Sequence, residues 1–107
     1  MKLLTKQLRE VLPPLYSQEK TETPTVYAKF FTPDSNWTWF VTEGSEQDKD
    51  FLCFGYVIGL DEEWGYFLIS ELESVRGPLG LPIERDLHFR PAPFREVIEQ
   101  YRRERRG

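Results

Sequence analysis

Four short runs of this chain alternate, residue by residue, between two rows of mostly apolar side chains, and that pattern is what most restricts its fold. Val26, Ala28 and Phe30 alternate with Tyr27, Lys29 and Phe31. Trp37, Trp39 and Val41 alternate with Thr38, Phe40 and Thr42. Phe51 to Ile58 is a third run, and in the fourth Trp64, Tyr66 and Leu68 alternate with Gly65, Phe67 and Ile69. Period two with aromatic and branched residues is the mark of strands, and the fourth run reads as a strand with both faces at least partly covered. Thr32-Pro33-Asp34-Ser35-Asn36 has proline at the second turn position and short polar residues after it, which suits a hairpin connection. Glu43 to Asp50 reads as a flexible acidic loop, and Asp61-Glu62-Glu63 turns the third strand into the fourth. Gly55 and Gly59 mark a bulge, a bend or a close backbone approach. Leu87 and Phe89, alternating with His88 and Arg90, form a last short strand. Sequential strands with short connections favour an antiparallel meander.

Three helices frame the strands. Leu4, Leu8, Val11 and Leu12 fall at i, i+4, i+7 and i+8, Thr5 can cap their helix, and Pro13-Pro14 ends it. Tyr16 to Thr25 has no period and crosses the surface as a loop. Ser70-Glu71-Leu72-Glu73 has the S-x-x-E spacing of a capping box, in which Ser70 and Glu73 each satisfy the other's backbone N–H. Gly77 then supplies a left-handed C-cap, and Pro78 stops the helix. Residues 79–83 are an apolar loop expected to tuck onto the core, fixed there by Arg76, Arg85 and Asp86. Pro91 and Pro93 bracket the start of a third helix with the stripe Phe94, Val97, Ile98 and Tyr101. The expectation is a single α+β domain over 1–107, with a four- to five-stranded antiparallel sheet and the N- and C-terminal helices packed on one face.

The motifs NWTWF at 36–40, FGYVIG at 54–59, WGYF at 64–67 and SELESVRGPLGLPIERDLHF at 70–89 resemble a family of small uncharacterised bacterial proteins often met on plasmids and other mobile elements. The resemblance runs from about Leu12 to Phe94. It implies a bacterial cytoplasmic origin and an accessory role, with family members differing in the acidic segment 43–50. It brings no catalytic residue with it.

Charge sorts along the chain. Between Asp34 and Glu73 ten acids face one base, Lys49, whereas Arg95 to Gly107 holds five arginines and three glutamates. The middle is acidic, and the helix end at 102–107 is basic, where positive charge suits the helix dipole. The single cysteine, Cys53, excludes an internal disulfide and sits in an apolar run as a small buried hydrophobe. No apolar run approaches the roughly 20 residues of a membrane span. MKLLTKQLREVL is too charged after Leu4 for a signal peptide, so a soluble, cytoplasmic protein is expected.

Chemistry narrows the function further. One histidine, His88, and one cysteine make no zinc set, and Asp61-Glu62-Glu63 lacks the spacing of a calcium loop, so neither a metal nor a cofactor is expected. Glu71, Glu73, Glu84 and Asp86 could pair as acid and base in a small hydrolase, but the capping box and ion pairs with Arg76 and Arg85 account for them. Trp37, Trp39, Tyr56 and Tyr66 could stack bases in a nucleic-acid-binding accessory protein of a mobile element, with the C-terminal arginines on phosphate. The acidic middle opposes that, because phosphate neutralisation supplies most such affinity. What remains is a non-enzymatic interaction or regulatory module that docks a basic protein surface. Its expected contact residues are Trp37, Trp39 and Tyr66, rimmed by Asp61, Glu62 and Glu63. Trp37 and Trp39 share a side, and at least one of them is expected on an open face, with Thr38 and Phe40 forming the core row.

Overall fold

The period-two runs are strands and pair in chain order. The computed structural model describes residues 2–106, without the Arg106 side chain, so Gly107 and the tip of the basic end 102–107 lie outside the described residues. Helix α1 is Lys6–Val11, and strands β1 (Thr25–Val26), β2 (Ala28–Phe31), β3 (Thr38–Gln47), β4 (Asp50–Ile58) and β5 (Glu62–Leu68) follow. Helix α2 is Ile69–Ser74, β6 is Glu84–Arg85, β7 is Ala92–Pro93, and α3 is Phe94–Arg106. The main sheet has five antiparallel strands in the order β5-β4-β3-β2-β6, and β1 pairs with β7 in a separate ribbon.

The two rows of each strand need two covers. Ala28, Phe30, Trp39, Val41, Phe51, Cys53 and Phe67 point to one face, where Leu3, Leu4, Leu8 and Leu12 of the α1 region and Ile69 and Leu72 of α2 close over them. Phe40 and Ile58 point to the other, under Val97 and Ile98 of α3. The terminal helices therefore cover opposite faces, and the expectation that both lie on one face is corrected. A sheet apolar on both sides cannot leave one of them wet. Leu8 of α1 and the flanking Leu4 and Leu12 are buried as the stripe requires, and the Leu8 N–H donates to the Thr5 hydroxyl cap at 3.1 Å. Val11 is exposed.

The acidic segment 43–50 is not a loop. β3 continues to Gln47, β4 begins at Asp50, and a two-residue turn at Asp48-Lys49, with Asp48 at φ 55°, joins them. The hairpin carries a bulge where the register passes from Val41↔Gly55 to Glu43↔Phe54. The extra residue, Thr42, donates its hydroxyl to the Phe54 carbonyl at 3.0 Å. Gly55 is obligatory there, because a Cβ would lie 2.0 Å from the Phe40 carbonyl oxygen.

The stretch after β5 departs most from the sequence expectation. Ser70 and Glu73 form no capping box: the N-cap position is Leu68, without a side-chain cap, and Ser70 lies inside α2. The Asp50 carboxylate caps the helix from outside, accepting the Ser70 hydroxyl and the Ser70 N–H, and Glu73 accepts the Leu3 N–H at 3.0 Å. The helix ends with Val75 as C-cap, so Gly77 is not its left-handed cap. At Gly77 the Asp34 carboxylate occupies the space where a Cβ would be, so a larger residue there would displace it. Asp34 also fixes the following loop, accepting the Leu79 N–H at 2.8 Å and the Leu81 N–H at 3.3 Å. The Arg76 guanidinium donates to the Glu73 and Val75 carbonyls while its backbone bridges Pro82 of the loop, Arg85 donates to the Thr5 hydroxyl, and Asp86 pairs with Lys29. Of the loop's apolar residues only Ile83 is buried; Leu79 and Leu81 are exposed. The last strand of the main sheet is β6, and residues 86–89 are a turn in which the Phe89 N–H reaches the Asp86 carbonyl.

Candidate functional site

The face under α3 is only partly covered, and the uncovered part is aromatic. Register fixes which side chains meet there: Phe54 is opposite Tyr66, and Tyr56 is opposite Trp64. Paired residues of antiparallel strands share a face. Phe54 stacks on Trp64 at 5.8 Å between centroids and lies 4.8 Å from Tyr66. Phe94, at the start of α3, closes one end at 4.7 Å from Trp64 and 4.9 Å from Tyr56. Tyr16 closes the other end at 6.4 Å from Tyr66. α3 protects Phe40 and Ile58 but reaches this row through Phe94, leaving Trp64 38% and Tyr66 51% exposed.

The segment before β1 forms the second wall. Its anchor is Glu43, 4% exposed beside the bulge. One carboxylate oxygen accepts the Tyr16 N–H and the other the Gln18 N–H, both at 2.7 Å. The Gln18 amide in turn ties the segment to Thr25 and the Thr42 carbonyl. Tyr16 is held with a positive φ of 73° and is 60% exposed. The result is a groove of about 310 Å³ between the rings Tyr16, Phe54, Trp64 and Tyr66 and the carboxylates of Glu19 and Glu22. The neighbouring Tyr16 hydroxyl, then partial burial and the charges of Glu43 and Glu19, push the Tyr66 phenol above its ordinary value. At the α3 end, Glu62 accepts from the Tyr56 hydroxyl at 2.9 Å and from Arg102 at 3.1 Å, and these bonds hold its carboxyl below the usual range. Burial first, and the bond to Glu62 second, raise the Tyr56 phenol.

This arrangement divides the residues expected to act together. Trp39 is 8% exposed and belongs to the core under α1 and α2, so its assignment to a docking surface is corrected. It pairs with Phe30, not with the row of Phe40, which sends it to the face that needed a large ring. Trp37 stacks on Trp39 at 5.9 Å and is 37% exposed, on the face opposite Tyr66. Glu62 lies on the α3 face and Glu63, opposite Val57, on the other, while Asp61 is in the preceding turn. Only Tyr66 and Glu62 of the expected set reach the groove face. Trp64 was legible, since it shares a period-two row with Tyr66. Tyr16, Glu19, Glu22 and Glu43 were not, because a buried carboxylate binding a distant loop has no local pattern.

The other candidates have structural partners. Arg102 pairs with Glu62, Arg103 with Glu99, and Arg105 reaches Asn36 and covers the Tyr101 ring. Asp86 accepts the His88 N–H and pairs with Lys29 at 3.9 Å. Burial pushes the Cys53 thiol up to about 12, which removes it as a nucleophile near neutral pH. Among the described residues no group of three His, Cys, Asp or Glu side chains is placed to hold a metal ion. Likewise, no helix is long and apolar enough to cross a membrane.

The family model described as "Protein of unknown function (DUF2958)" matches residues 3–104, and the chain belongs to that family. No curated protein and no solved structure matches it.

Proposed function

We propose that this DUF2958 member is a non-enzymatic interaction module that docks a basic protein surface on the aromatic and acidic groove beside α3. The observation that carries the reading is the row Tyr16, Phe54, Trp64 and Tyr66, exposed on a sheet face and rimmed by Glu19 and Glu22. Aromatic rings supply contact area and attract cations through their faces, and nearby carboxylates add charge that steers a basic partner. The resemblance to proteins of plasmids and mobile elements fits an accessory role of this kind in the bacterial cytoplasm.

The test is a titration with an arginine- and lysine-rich peptide, followed by tryptophan fluorescence and calorimetry. Binding should weaken between about 0.05 and 0.3 M salt, mainly through the association rate. Trp64→Ala should weaken it about thirtyfold, the roughly 2 kcal/mol of an interface hot spot, measured under conditions in which the variant is folded. Undiminished binding by a folded Trp64→Ala protein overturns the reading.

A further inference from the structure

β5 is the outer strand of the sheet, paired on one side only, with β4. Its register runs unbroken from Leu52↔Leu68 to Ile58↔Glu62, with no bulge and no proline. Among the described residues no hydrogen bond from outside the sheet reaches the backbone of 62–67, and Leu68 is the N-cap of α2. The N–H and C=O groups on its outer side therefore form an unused template for another strand. Natural edges are usually blunted by short length, proline, lysine or a bulge. The opposite edge follows that rule, since β6 has two residues, whereas β5 has seven. The charged residues within β5 are Glu62, which is paired with Arg102, and Glu63, whose carboxylate repels an acidic strand and attracts a basic one.

We propose that the free edge of β5 takes up an extended basic segment of another protein as a sixth strand of the sheet. The proposal rests on the reading of the α3 face as a docking surface, and adds the mode of docking. Charge selects the occupant. From Asp50 to Ser74 the chain has six acids and no lysine or arginine. A second copy would set two such segments side by side, whereas a basic strand complements them. Alternate side chains of the added strand would fall beside Trp64 and Tyr66, where cationic heads meet ring faces. Those between would pass over Gly65, where no atom lies within 4 Å of a Cβ position, toward Glu63.

The experiment compares three peptides of about nine residues, the length of an ordinary strand with its ends. All alternate arginine with threonine; the second and third are N-methylated at alternate positions in the two possible registers, which removes backbone donors on one edge or the other at unchanged charge. The expected result is binding of the first peptide with slowed amide exchange within 62–68, a loss of at least tenfold for one methylation register and not for the other, and weaker binding by Glu63→Lys. Equal binding of all three peptides with no change in exchange overturns the strand addition but leaves the docking surface standing. Binding of none overturns both. A dimer whose β5 amides are protected without peptide gives the edge to a second copy and also overturns the proposal.

Discussion

Removing the Glu43 carboxylate tests how the groove is assembled. It accepts the Tyr16 and Gln18 N–H groups, each at 2.7 Å, from a position 4% exposed. Hydrogen bonds to a charged group are worth roughly 1.5–3 kcal/mol each, so two give a gross loss of about 3–6 kcal/mol. Tyr16 is exposed, so water can reach part of the space that Glu43→Ala opens, and the expected loss falls to about 2–4 kcal/mol. Glu43→Gln keeps one acceptor and turns an amide toward the other N–H, and should lose roughly half as much. The assay is urea unfolding together with amide exchange. Residues 16 and 18 should exchange faster in both variants, more so in the alanine. The groove should suffer with them, because Tyr16, Glu19 and Glu22 all belong to the segment that Glu43 anchors. A Glu43→Ala protein within about 0.5 kcal/mol of the parent, with unchanged exchange at both amides, would falsify this account of the anchor.

Trp39→Ala should cost about 3–5 kcal/mol in the same unfolding assay, as core aromatic truncations do; a near-neutral result would return that ring to the surface. The cap that Asp50 provides for α2 should appear in the pH dependence of stability. The Ser70 hydroxyl, and then the Phe51 N–H, hold the Asp50 carboxyl below its ordinary value near 3.8. A group with a depressed folded value stabilises above the unfolded value, and that contribution is lost as pH falls through the folded value. Asp50→Asn should therefore be less stable than the parent near neutral pH, with the gap closing in acid below the ordinary value. A gap that stays constant down to acid unfolding would remove the cap.

Much of the sheet was legible because strands announce themselves locally. Side chains two apart share a face, so the four runs, the hairpin at 32–36 and the tight glycine at 55 could be read from spacing alone. The α3 stripe Phe94, Val97, Ile98 and Tyr101 was legible for the same reason, at helical period. The capping box misled because S-x-x-E spacing is necessary but not sufficient. Strand β5 runs to Leu68, which starts the helix two residues earlier than the capping box would and lets Asp50, twenty positions back, take the Ser70 hydroxyl. The acidic segment 43–50 misled because acids suggest solvent, whereas Glu43 is buried with two backbone donors.

The sequence by itself determined that this chain makes an antiparallel sheet of aromatic strands framed by terminal helices, because periodicity and turn chemistry are properties of near neighbours. Which face each row took was decided only in three dimensions. Pairing of Phe30 with Trp39 and of Lys29 with Phe40 commits one tryptophan to the core under α1 and α2, and the bulge at Thr42 sets Glu43 where it can hold the loop of Tyr16. Those outcomes depend on strand register and on contacts between residues tens of positions apart, and the groove between Trp64, Tyr66 and that loop exists only once both are in place.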